Sequence, residues 1–167
     1  MMDGTILVVD DNADIRETTR LMLSRQGYEV WLAPDGNNAI QLMNQPVLAN
    51  AVCTVICDLA MPSGNGTDLI AYLRNNHPAV PIIVCSGADD TAFLSAILKD
   101  GVCDWMRKPV SRDTLVQKVR TAVHLFTLRQ QQDGHAVSAQ APISMHTAVA
   151  PSGIETIQKS RNSATGL

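Results

Sequence analysis

The chain has 167 residues, 46% apolar and 17% charged, enough for one ordinary domain of roughly 100–150 residues with an extension. Thirteen Lys and Arg against sixteen Asp and Glu leave a net charge of −3, which argues against a protein whose main work is gripping nucleic-acid phosphates through a basic stripe. No apolar run approaches the ~20 residues of a membrane span, Asp3, Asp10, Asp11 and Asp14 stand where a signal peptide would be basic and then apolar, and Cys53, Cys57, Cys85 and Cys103 form no C-x-x-C pair, so a cytoplasmic protein without disulfide or zinc framework is expected.

The run Ile6-Leu7-Val8-Val9 stops at Asp10 and has the continuous, β-branched character of a strand buried on both faces. Asn12 or Asp11 can cap a helix running to about Gln26, where Gly27 ends it. Residues 29–33 alternate and predict an edge strand, after which Pro34-Asp35-Gly36 turns the chain into a short helix ending near Asn44. Residues 52–57 and 82–85 are two further apolar strands, and Pro81 is tolerated because it opens the second. Helices are predicted over 67–75, stopped by His77-Pro78, and over 91–99, stopped by Gly101. Residues 105–107 form a short last strand, and the last helix carries Leu115, Val116, Val119, Ala122, Val123 and Phe126 on one face.

All six aromatic residues precede residue 127, while 134–167 hold eight Ser or Thr, six Ala, three Gly and two Pro. Such a segment buries too little apolar surface to offset an ordering entropy of ~1–2 kcal/mol per residue. Residues 1–133 are expected to fold and 134–167 to form a flexible tail. Strand and helix alternating five times predict an α/β doubly wound parallel sheet with helices on both faces.

In such folds chemistry gathers beyond the carboxyl ends of the strands. The residues that end them are Asp10 and Asp11, Asp58, Ser86 with Gly87, and Lys108 with Pro109. Three carboxylates at one rim repel one another unless a cation neutralises them, and hard oxygen donors suit Mg²⁺. One carboxylate can then attack phosphorus, with Lys108 and the Ser86 hydroxyl donating to phosphoryl oxygens. The constellation reads as a site that receives a phosphoryl group on Asp58.

Four segments, Val8-Val9-Asp10-Asp11-Asn12, Asp58-Leu59-Ala60-Met61-Pro62-Ser63-Gly64-Asn65-Gly66, Val84-Cys85-Ser86-Gly87-Ala88 and Trp105-Met106-Arg107-Lys108-Pro109, occur in this order at a spacing that resembles a bacterial response-regulator receiver domain over residues 3–128. The resemblance implies a flavodoxin-like sheet in the order 2-1-3-4-5 and Asp58 as phospho-acceptor. It implies Mg²⁺ held by Asp11, Asp58 and the Ala60 carbonyl, with Asp10 binding directly or through water. Ser86 would be the switch hydroxyl, Lys108 the phosphate contact, Trp105 the switch aromatic, and the Lys108–Pro109 bond cis. A sensor histidine kinase or phosphotransfer protein would supply the phosphoryl group, and a downstream protein would read the face formed by the fourth helix (91–99), fifth strand and fifth helix. In two places the chain departs from the family pattern. Trp105 stands where Tyr or Phe is commoner, and Ala60 and Ala88 are small where longer polar side chains often sit, which opens the acyl phosphate to water.

Plainer readings exist for each motif taken singly. An acidic pair such as Asp10-Asp11 is usually a cap or turn, and Gly64-x-Gly66 lacks the third glycine of a dinucleotide loop. An aspartyl-phosphate hydrolase of the haloacid-dehalogenase kind would want a second acid two residues after Asp58, where Ala60 stands. No helix-turn-helix is visible after residue 133, so output by protein contact is expected rather than DNA reading. A stand-alone response regulator is expected; the alternative is a regulatory input domain cut from, or acting on, a separate output enzyme. Leu125, Leu128 and Gln132 on an extended last helix leave a homodimer open.

Overall fold

The apolar runs pair as five parallel strands: β1 (Thr5–Val9), β2 (Glu29–Ala33), β3 (Val52–Asp58), β4 (Ile82–Ser86) and β5 (Asp104–Arg107). Their order is β2-β1-β3-β4-β5, in agreement with the sequence reading. The computed structural model describes residues 4–62, 66–87 and 102–138. The helix predicted over 91–99, residues 63–65, Ala88 and the segment from 139 onward lie outside them.

Every residue of β1, β3 and β4 is buried, whereas β2 alternates and closes one edge of the sheet. Successive side chains of a strand point to opposite faces, so each central strand feeds two cores. Leu7, Val9, Val55, Cys57, Ile82 and Val84 belong to one, which also receives helices α2 (Gly36–Met43), α3 (Pro46–Ala51) and α4 (Gly66–Asn76). Ile6, Val8, Ile56, Ile83, Cys85 and Met106 belong to the other, with Leu23 of α1 (Ala13–Ser24) and Leu115, Val119 and Ala122 of α5 (Arg112–Ser138).

The Asn12 cap is observed: its side chain accepts from the backbone N–H groups of Asp14 and Ile15. Helix α1 stops at Ser24, two residues short of the expected end, and Gly27 turns the chain with φ 91°. Helix α3 has no counterpart in the sequence reading. Its first position is Pro46, where the missing N–H is not needed and the fixed φ already suits a helix. Helix α5 is 27 residues long, about 40 Å at 1.5 Å per residue, and runs through residue 133 to Ser138. The Lys108–Pro109 bond is cis.

Candidate functional site

Side-chain alternation assembles the site. Val8, Ile56 and Met106 face the α1/α5 layer, and two residues beyond each, past the hydrophobic part of its strand, stand Asp10, Asp58 and Lys108. The Lys108 Nζ donates to Asp10 Oδ2 at 2.6 Å and to Asp58 Oδ2 at 2.7 Å. The second oxygens are held as well: Asp10 Oδ1 accepts from the Asn12 N–H and Asp58 Oδ1 from the Ala60 N–H, both at 2.9 Å. Asp10 and Asp58 are only 3% and 4% exposed, a depth at which a carboxylate persists only when paired and hydrogen-bonded. Burial pulls the Lys108 ammonium towards a lower pKa, but its hydrogen bonds to Asp10 and Asp58 outweigh that and hold it above the ordinary lysine value.

Asp11 lies exposed at the rim, and one oxygen from each of Asp10, Asp11 and Asp58 falls within 4.8 Å of the others. Three hard oxygen donors, one of them open to solvent, fit a small divalent cation such as Mg²⁺. Burial pushes the neighbouring thiols up, Cys85 to about 12 and Cys57 further still.

Backbone contacts fix the rim. The Lys108 N–H donates to the Ser86 carbonyl at 2.9 Å and the Leu59 N–H to the Cys85 carbonyl at 3.2 Å, tying the exits of β3, β4 and β5 together. Gly66, at the start of α4, is close enough to that exit that an added Cβ would lie 2.7 Å from the Asp58 carbonyl oxygen and 3.3 Å from Leu59 Cα. Arg16, which the sequence reading missed, donates from Nη1 to the Asp10 carbonyl at 2.6 Å and the Asp11 carbonyl at 3.1 Å. Its available signal was a cation one helical turn beyond the Asn12 cap, placed to return to the acidic loop.

Asp10, Asp11, Asp58 and Lys108 are thus brought together as expected. Ala60 contributes its N–H to Asp58, and Pro109 follows Lys108 through the cis bond. Ser86 is buried at the end of β4, one residue past Cys85, which pairs with Asp58. By alternation Ser86 shares the opposite sheet face with Val84, and half-buried Trp105 packs against that same layer from the neighbouring strand. His77 is half-buried against Tyr72, with ring centroids 5.7 Å apart.

A parallel 2-1-3-4-5 sheet with carboxylates and a lysine at its carboxyl rim defines an α/β protein built around an anionic, cation-bridged site. The sequence model of the response regulator receiver domain family matches residues 6–120, and the chain belongs to that family, the receiver domains of two-component systems. Among curated relatives, the CAI-1 autoinducer sensor kinase/phosphatase CqsS of Vibrio cholerae is 35% identical over 117 residues, 68% of this chain and 16% of that protein. The response regulator MprA of Mycolicibacterium vanbaalenii is 32% identical over 143 residues, 86% of this chain and 59% of that protein. The chain therefore spans less than two thirds of either relative. A solved response regulator receiver domain protein from Clostridium thermocellum is 26% identical with a TM-score of 0.70, over 75% of this chain and 98% of that one. No helix among the described residues is long and apolar enough to cross a membrane.

Proposed function

We propose that this receiver accepts a phosphoryl group on Asp58 from the phosphohistidine of a sensor kinase or phosphotransfer protein, and signals through a change at its β4–β5 face. The observation that carries the reading is the Lys108 ammonium bridging Asp10 and Asp58 at 2.6 and 2.7 Å. Asp10, Asp11 and Asp58, with the Ala60 carbonyl, would hold Mg²⁺. When bound, the ion supplies charge neutralisation for the incoming phosphoryl oxygens.

In the transfer, an Asp58 carboxylate oxygen forms the new O–P bond while the P–N bond of the donor breaks and its electron pair leaves with the imidazole. Lys108 is already within hydrogen-bond reach of Asp58 and donates to a phosphoryl oxygen without a large movement. Ser86 donates to another oxygen, and the space it vacates admits the Trp105 indole. Moving a two-state element from 1:99 to 99:1 takes about 5.5 kcal/mol. Charged hydrogen bonds contribute roughly 1.5–3 kcal/mol each, so the Ser86 and Lys108 contacts together supply at most about 3–6 kcal/mol, which meets that requirement only at its upper end. Output then passes by protein contact through the helix predicted over 91–99, β5 and α5. A second reading, a regulatory input to an output unit elsewhere, is favoured by the short fraction of CqsS that the chain spans.

The test is tryptophan fluorescence in a Trp31→Phe background, which leaves Trp105 as the reporter. Acetyl phosphate with Mg²⁺ is expected to change the emission, and Asp58→Asn to abolish the change. An unchanged response in Asp58→Asn overturns the assignment.

A further inference from the structure

Helix α1 packs poorly for its length. Of its twelve residues only Leu23 is buried, and Ile15 is 38% exposed. The stripe that should face the sheet, at spacings of three and four, is Ile15, Thr18, Thr19 and Met22. Its middle turn is made of two short threonines, and the N-terminal half of the helix is held by the Asn12 cap and Arg16 rather than by apolar packing. Beneath it lies a cavity of about 540 Å³, floored by Val8, Ile56, Cys85 and Met106. The space is partly open to solvent, and its volume falls in the ~300–1,000 Å³ range of small-molecule sites.

The strand alternation that builds the acidic rim also places it at the mouth of this cavity. Asp10, Asp14, Asp58 and Lys108 all line it. Three carboxylates against one ammonium leave a net charge of −2, and the N-terminus of α1 returns only about half a positive charge. Lys108 is engaged by two of those carboxylates, Asp10 and Asp58. Asp14 has no ion-pair partner among the described residues.

We infer that this cavity is a binding site for a small amphipathic cation, an apolar body carrying a primary amine or amidine, seated between α1 and the sheet with its charged head among Asp10, Asp14 and Asp58. This goes beyond phosphoryl acceptance and does not depend on it. A ligand so placed would occupy the carboxylates that receive the divalent ion, which makes the site a lever on the receiver.

The probes are 4-phenylbutylamine, the matching alcohol and the matching carboxylate, added to the full chain in EDTA, so that neither metal binding nor phosphorylation enters the readout. The amine is expected to raise the melting temperature by about 5–10 °C at a hundredfold excess over its dissociation constant. The alcohol should give less than half of that and the carboxylate nothing. Methyl shifts should concentrate at Val8, Ile15 and Ile56. Thr18→Phe and Thr19→Leu, made separately to fill the space, should each lose the amine effect while remaining folded by circular dichroism. No stabilisation by the amine, equal stabilisation by all three probes, or methyl shifts confined elsewhere overturns the proposal. The methyl map on the unaltered chain decides the matter should either variant fail to fold.

Discussion

Lys108→Met separates the two roles of the bridging lysine, keeping most of its stem and removing its charge. Without the ammonium, Asp10 and Asp58 lose their shared partner while remaining 3% and 4% exposed. Breaking one side of a buried ion pair costs about 3–5 kcal/mol. The Lys108 side chain is itself 21% exposed, so some solvent screening remains and the lower end, about 3 kcal/mol, applies. For a domain of this size that corresponds to a fall of roughly 10 °C in melting temperature. The same substitution should tighten divalent-ion binding, because it removes a like charge from the carboxylates the ion would share. A dication and an ammonium ~4 Å apart repel by about 2 kcal/mol even in bulk water, or roughly thirtyfold in affinity. Urea unfolding in EDTA and again across a Mg²⁺ titration reads both effects. A loss below about 1 kcal/mol in EDTA, or Mg²⁺ affinity unchanged or weakened, would refute the reasoning.

Other expectations concern the supports of the site. Asn12→Ala removes the acceptor for two orphan N–H groups of α1 and should destabilise the chain by about 1 kcal/mol in urea. Gly66→Ala forces backbone apart at the exit of β3, so a loss of about 1–3 kcal/mol is expected, together with slower phosphorylation by acetyl phosphate. Lys118→Met removes a partly exposed ion pair to Asp104 at 2.6 Å and should change stability by less than about 1 kcal/mol. Alkaline pH should unfold the protein in a defined sequence. Burial raises Cys53 to about 11 and Cys85 to about 12 from 9.0, so the unfolded chain sheds these protons first and stability falls as pH rises above 9. The Lys108 contribution is fully present below its unfolded value of 10.5 and is lost as pH climbs through its raised folded value. Cys85→Ala should flatten the first part of that decline, by at most about 1.4 kcal/mol per pH unit.

The central strands were legible because burial on both faces leaves an unmistakable mark: Ile6 to Val9, Val52 to Cys57 and Ile82 to Cys85 are almost wholly apolar, and each ends at a polar residue that the fold puts to use. The rim could be read for the same reason, since Asp10, Asp58 and Ser86 end those runs, and Lys108 follows the short β5. Helix α3 escaped notice because six residues leave no periodicity and Pro46 reads equally as a turn. Arg16 escaped because its partners are backbone carbonyls, which no side-chain pattern records. The requirement for Gly66 lies in the approach of α4 to the Asp58 carbonyl, a tertiary fact, although the motif itself marks the residue. The thinness of the α1 stripe was written in Thr18 and Thr19, but only the assembled sheet shows that no other described residue fills the gap.

The claim on which the functional account stands is that one particular carboxylate becomes covalently modified. Intact-mass and peptide-mapping spectrometry of the purified chain, incubated with acetyl phosphate and Mg²⁺, tests it directly. The account predicts a single added phosphoryl group, carried by the peptide containing Asp58, absent from Asp58→Asn and absent when EDTA replaces Mg²⁺. A chain that keeps its unmodified mass under those conditions, or that carries the group on a different residue, contradicts it.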